Sequence, residues 1–338
     1  MKINKYGLSI LILISLNFLS VLKSATFIWN GSADTSWTNG SNWTPAGVPG
    51  ISDTAILDDG TVPNQPSLMT NDTVAKLIVS DGELNLAGFT IKATVAVHIT
   101  GGSIGNGSIS SADFLEITNA EFTGTISLQK TGGGDNTWSG GNTFGNIFLF
   151  NNSNNYIRLA WTFGDTVTGA SGFSTTGGAI NVSSAGTNIY TGNISLSSTG
   201  TGGICIGCLA GGTTTITGGG IFVTAGNFTN GPLYLVKVTQ INIAGGVSAT
   251  CTDFIVSNSK LKGDFTVESP DFIINSSTLS QTNSFVKTGG GNNIWSGGNT
   301  FGNIFLFNNS NNYIRLAWTL GDTVTGASGF STTGGAIN

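Results

Sequence analysis

A stretch of 52 residues, Lys130 to Asn181, returns 157 positions later as Lys287 to Asn338 with three substitutions: Asp135 becomes Asn292, Thr137 becomes Ile294 and Phe163 becomes Leu320. A closed globular core cannot take in a copied block of this size without being rebuilt. A solenoid can, because each coil meets only its neighbours. The second copy stops at Asn338, where the first runs on into Val182 and Ser183, so the sequence reads as a fragment that ends part-way through a repeat.

A shorter period lies beneath the long one. An apolar residue, any residue, then Gly or Asn recurs at Leu86, Ile104, Phe122, Phe144, Val167, Tyr190, Ile216, Ile243 and Leu261, at spacings of 18 to 27 residues. That is the length of a solenoid coil, which must stack on its neighbours to bury its apolar side. Within a coil the apolar period is two. In the run Tyr156 to Phe163, the residues Ile157, Leu159, Trp161 and Phe163 fall on one strand face, with Tyr156 and Arg158 on the other. In the run Ala93 to Thr100, Val95, Val97 and Ile99 share a face and His98 points away from it. Gly-Gly, Asn-Gly and Asn-Asn clusters punctuate the strands where the chain must turn. These patterns predict an all-β parallel β-helix of roughly 13 coils, about 60 Å long at a coil spacing of ~4.8 Å. Tandem β-sandwich modules, whose strands recur every 8 to 12 residues, are the alternative fold.

Residues 1–25 read as a signal peptide: Lys2 and Lys5, an apolar run from Leu8 to Leu22, then Ser24 and Ala25 for cleavage. The run is shorter than the roughly 20 residues a membrane span needs, and no transmembrane segment follows it. Removal of this segment leaves 9 basic and 17 acidic residues, a net charge of −8. Such a surface argues against nucleic acid as a partner. Charged residues make up only 9% of the chain and Gly accounts for 51 of 338 positions, yet 39% of residues are apolar, too many for a chain that buries no core.

Residues 26–72 differ from the rest. Trp29, Trp37 and Trp43 and four of the six prolines fall here, which suits an N-terminal cap over the first coil. A carbohydrate platform built on exposed faces of Trp37 and Trp43 is the functional alternative. The sequence from Trp29 through Gly31, Trp37, Asn42, Trp43, Pro49, Asp53 and Ala55 resembles the opening of secreted bacterial surface proteins of the autotransporter and adhesin type, in which such a segment precedes β-helical repeats. Phe148 to Asn151 and the Gly-Gly-Ala-Ile runs at Gly177 and Gly334 resemble chlamydial polymorphic outer membrane proteins. The resemblance implies a secreted or cell-surface adhesin; the chain departs from a full autotransporter in showing no C-terminal barrel segment.

Residues suited to catalysis are sparse. Between Asn136 and Thr252 the one acidic residue is Asp165, so the paired carboxylates of a polysaccharide-active β-helix enzyme are missing there. Asp113 and Glu116 have opposite strand parity. His98 lacks the partners of a nucleophile triad. Cys205 and Cys208 have C-x-x-C spacing but no helix to lower a thiol pKa; a zinc site would want two more ligands, for which the chain offers one other Cys, Cys251, and one His, His98, and a structural role or an incidental disulfide is the expectation. No metal, no cofactor and no enzymatic activity is expected, although support of a polysaccharide-active enzyme stays open as an alternative function. What the chain offers is surface: Tyr156 and Arg158, with their copies Tyr313 and Arg315, are candidates for contact with host or matrix glycans or proteins.

Overall fold

The computed structural model describes residues 24–182, 186–207, 212–223, 232–240 and 245–338. The signal segment therefore lies outside the described residues except for Ser24 and Ala25, and so does Cys208. The chain is a parallel β-solenoid of about 12 turns. Among the described strands one pairing is antiparallel, Thr26–Trp29 against Trp43–Thr44; the others are parallel. The only described helix is one 3-10 turn, Gly40–Asn42.

Each regular coil contributes a strand to each of three faces. On the first, Ile126, Ile147, Ser171, Ile194, Ile221 and Gly245 stand in register on successive coils. The second carries Ile104, Phe122, Phe144, Val167, Tyr190 and Ile216 in register, which are six of the nine periodic positions read from the sequence. Leu261 rejoins that file two coils later, through Thr239 beside Lys260; Ile243 lies outside the described residues, and Leu84 rather than Leu86 holds the file at its start. The third face stacks Asn136, Ile157, Ile180, Ile204, Leu233, Phe254 and Phe272. Between register partners the coil length runs from 18 residues, Val247 to Phe265, to 29, Ile204 to Leu233.

Period-two alternation drives this arrangement because the inward residues of all three faces meet in one dry core. Ile126, Leu128, Phe173, Ile216, Phe254 and Phe285 are all buried within it. Each such side chain contributes about 1.5–3 kcal/mol of burial. Trp138 and its copy Trp295 are fully buried and donate their indole N–H to the carbonyls of Leu115 and Phe272 on the preceding coil.

The backbone turns at one corner are satisfied by an internal polar file. Asn142 Oδ1 accepts from Ala120 N, Asp165 Oδ1 from Asn142 N, and Asn188 Oδ1 from Asp165 N. Further along, Ser277 Oγ accepts from Ser259 N, Asn299 Oδ1 from Ser277 N, and Asp322 Oδ1 from Asn299 N. A buried amide without such a partner would cost about 1–3 kcal/mol, so the Asn-rich composition is what lets the coil turn inside a dry core.

Two local expectations are corrected. The strand Ile157–Leu159 ends before Trp161, because Ala160 takes a φ of 49°, so Trp161 and Phe163 turn outward instead of joining Ile157 and Leu159 in the core. In Thr90–Ile99 the register slips opposite Val74 and Lys76, which sends Val95 outward while Ala96 and Val97 both bury.

Candidate functional surface

The outward turn at Ala160 builds a cluster that strand alternation alone does not give. Trp161 N bonds Trp138 O at 2.9 Å and Phe163 N bonds Ser139 O at 2.7 Å, which brings the Trp161 ring back over the third face. Arg158 stands there between two rings: its guanidinium carbon is 4.5 Å from the centroid of Tyr156 and 5.7 Å from that of Trp161. In the copy, Arg315 lies 4.5 Å from Tyr313 and 4.6 Å from Trp318. A cation over a ring face gains about 0.5–1 kcal/mol at an exposed site, enough to hold the arginine upright on its sheet.

The rings stay available. Tyr156 is 37% exposed, Trp161 39% and Trp318 61%. The backbone of each tyrosine is pinned by the residue 21 positions earlier, Asp135 Oδ1 on Tyr156 N at 3.0 Å and Asn292 Oδ1 on Tyr313 N at 3.1 Å. The substitution of Asp135 by Asn292 thus keeps the acceptor and removes one carboxylate beside the second cluster. Among the described residues neither arginine forms a salt bridge, and the buried Nε of Arg158 has no hydrogen-bond partner.

Trp37 and Trp43, the other two surface candidates, are buried instead, at 0% and 1% exposure. Their rings pack edge to face, Trp29 on Trp43 at 5.0 Å and Trp37 on Trp43 at 4.8 Å. Their indole N–H groups are used internally, Trp43 on Trp37 O and Trp37 on the Asp72 carboxylate. Large rings with internal hydrogen-bond partners gain more from the core than from solvent, so this segment presents no flat aromatic platform.

Several ionisable groups are committed to the fold. Asp165 is buried and accepts from both nitrogens of Asn142; burial pushes its carboxyl up to about 6. His98 is half-buried, its ring tilted against Phe114 at 5.0 Å with Nδ1 3.1 Å from Glu116, so it is less open than its strand position suggests. Cys205 is disulfide-bonded, while Cys251 is a free buried thiol pushed up to about 12 by burial. Among the described residues no group of three His, Cys, Asp or Glu side chains could hold a metal ion, and no helix is long and apolar enough to cross a membrane.

A second outward feature lies on the first face. Phe148, Phe150 and Phe222 border a shallow groove of about 290 Å³ over Gly172, Ser195 and Ser197, and the copy forms one of about 260 Å³ with Phe305, Phe307 and Phe330. The duplicated block therefore repeats its surface as well as its core.

Comparison with protein-family models, curated proteins and solved structures finds no match. The fold defines the class, a parallel β-solenoid with an internally duplicated block.

Proposed function

We propose that this chain is an exported, non-enzymatic repeat protein that works at a cell surface or outside the cell as an adhesin or structural stalk. One observation carries the reading: the two copies of the block meet different neighbours yet make the same pairings. Phe122 and Ile126 to Lys130 pair with Phe144 and Ile147 to Asn151; Leu279 and Asn283 to Lys287 pair with Phe301 and Ile304 to Asn308. Even the register slip recurs, between Phe122 and Thr125 and between Leu279 and Thr282. A coil that fits either context is a unit of length, and copying it extends a rod and multiplies whatever it displays. The Trp-rich segment 26–72 serves as the cap of this rod, and its buried rings suit that role. An exported scaffold also accounts for a chain whose polar groups are spent on turns and corner files.

Deletion of residues 130–286 tests the length unit directly. The deletion joins Gln129 to Lys287, the copy of Lys130, and should leave a folded rod about 34 Å shorter by small-angle scattering, seven coils at ~4.8 Å. An unfolded product would overturn the modular reading. Export is tested by N-terminal sequencing of the protein recovered outside the cytoplasm; an intact Met1 in a protein retained inside would overturn it. Cells displaying the chain should hold to glycan- or protein-coated surfaces better than cells displaying the deletion.

A further inference from the structure

We propose that the Tyr156–Arg158–Trp161 cluster and its copy Tyr313–Arg315–Trp318 are twin recognition sites for an acidic glycan, each taking one carboxylated sugar of a linear chain. The inference rests on the adhesin reading for its context and names that adhesin's ligand class. Arg158 and Arg315 are the only arginines in the protein, and each is stacked between two exposed or half-exposed rings. Here 17 acidic residues are available in the chain, yet among the described residues none pairs with either guanidinium. A planar fork of donors held upright by two rings matches the two oxygens of a ligand carboxylate. The ring faces beside it offer apolar area with a polar edge, which suits a pyranose carrying that carboxylate.

Charges more than about 8 Å away are largely screened at physiological salt, so the carboxylate that counts against an anion at the first site is Asp135, whose Oδ1 accepts from Tyr156 N, while the second site has the neutral Asn292 in that place. Asn292 in place of Asp135 makes the second site the tighter of the two for an anion. The two sites lie seven coils apart on the third side of the rod: pairings run from Ile157 to Phe272, Phe272 N donates to Asn293 Oδ1 on the next coil, and Asn293 pairs with Ile314, so about 34 Å separates them. A glycan long enough to span that distance engages both, and the second contact forms at high effective concentration.

The experiment is a fluorescence titration of the purified full chain. Trp161 and Trp318 are exposed while Trp29, Trp37, Trp43, Trp138 and Trp295 are buried, so iodide-accessible emission reports on these two sites. Oligogalacturonate should protect that emission saturably, its methyl ester should bind roughly tenfold more weakly or worse, and poly-glutamate should not compete. Chains longer than the spacing should bind more tightly than short ones, and that advantage should vanish in Arg158→Gln or Arg315→Gln. The double variant should lose binding with an unchanged circular dichroism spectrum, and Arg→Lys at both positions should restore it only in part, because an ammonium has no bidentate fork. Equal binding of the methyl ester, tighter binding of poly-glutamate, or no protection by oligogalacturonate of any length would each overturn the assignment. None of these outcomes depends on where the protein resides in the cell, so failure here is distinct from failure of the adhesin reading.

Discussion

The ring of Phe148 lies across Gly172 on the next coil: a Cβ built on Gly172 would stand 2.7 Å from Phe148 Cδ1. Phe305 has the same relation to Gly329, at 3.1 Å. An outward phenylalanine thus shields the bare backbone of a glycine on its neighbour, and the glycine gives the ring somewhere to lie. Gly172→Ala should swing the ring off the sheet and destabilise the protein by about 1 kcal/mol, with a smaller effect for Gly329→Ala. Denaturant midpoints of the two variants check the order; a stabilising Gly172→Ala would mean that the ring makes no useful contact there.

Gly140 supports the Tyr–Arg–Trp cluster from below. Its φ is +89° and a Cβ would fall 2.0 Å from the Phe163 carbonyl oxygen, in the turn that carries Trp161. Gly140→Ala should therefore cost about 1–3 kcal/mol in backbone strain and shift the Trp161 emission. Gly297→Ala, with φ +84° and a clash with the Leu320 carbonyl, should do the same to Trp318.

Asp165 makes stability depend on pH. Burial raises its carboxyl to about 6 from an ordinary 3.8, so the folded protein holds this proton more tightly than the unfolded chain does. The contribution of Asp165 to stability is therefore greatest below the ordinary carboxylate value, falls as pH rises through about 6 and then levels, a loss on the order of 2–3 kcal/mol. Asp165→Asn keeps an oxygen for the Asn142 amide and carries no charge. It should abolish this slope and stabilise the protein at neutral pH, as read by urea unfolding across the range.

Lys130 and Lys287 are fully buried at equivalent corners. Lys130 Nζ donates to the Gly132 carbonyl, and Lys287 Nζ to those of Pro270 and Gly289, with Asp271 at 3.8 Å. Burial lowers the pKa of both ammonium groups. Replacement by Met leaves these carbonyls unanswered and should cost about 1–3 kcal/mol at each site. The sites lie seven coils apart, so the double variant should be additive within about 0.5 kcal/mol.

Cys251 is 2% exposed, and its thiol is pushed up to about 12. Iodoacetamide at mildly alkaline pH should leave the Cys251 peptide unmodified in the folded protein and label it in denaturant. Mass spectrometry of that peptide decides the point.

The copied block, the coil length and the inward file from Ile104 to Ile216 could be read from the letters, because a parallel solenoid writes its period into one dimension: each inward residue recurs once per coil. Tyr156 with Arg158 and Tyr313 with Arg315 were legible for the same reason. Trp161 and Trp318 were not, since alternation puts them inside and only the left-handed turns at Ala160 and Ala317 put them outside. The side chains of Trp37 and Trp43 could face either way on the sequence; their edge-to-face packing with Trp29 settled them inside.

Local periodicity, then, is determined by the sequence itself, since a period of two within strands and of 18 to 27 between them leaves a stacked β coil as the arrangement that buries every apolar face. Which aromatic rings bury and which gather round an arginine was decided by the tertiary structure, because that depends on where one coil's turn falls against the carbonyls of the next.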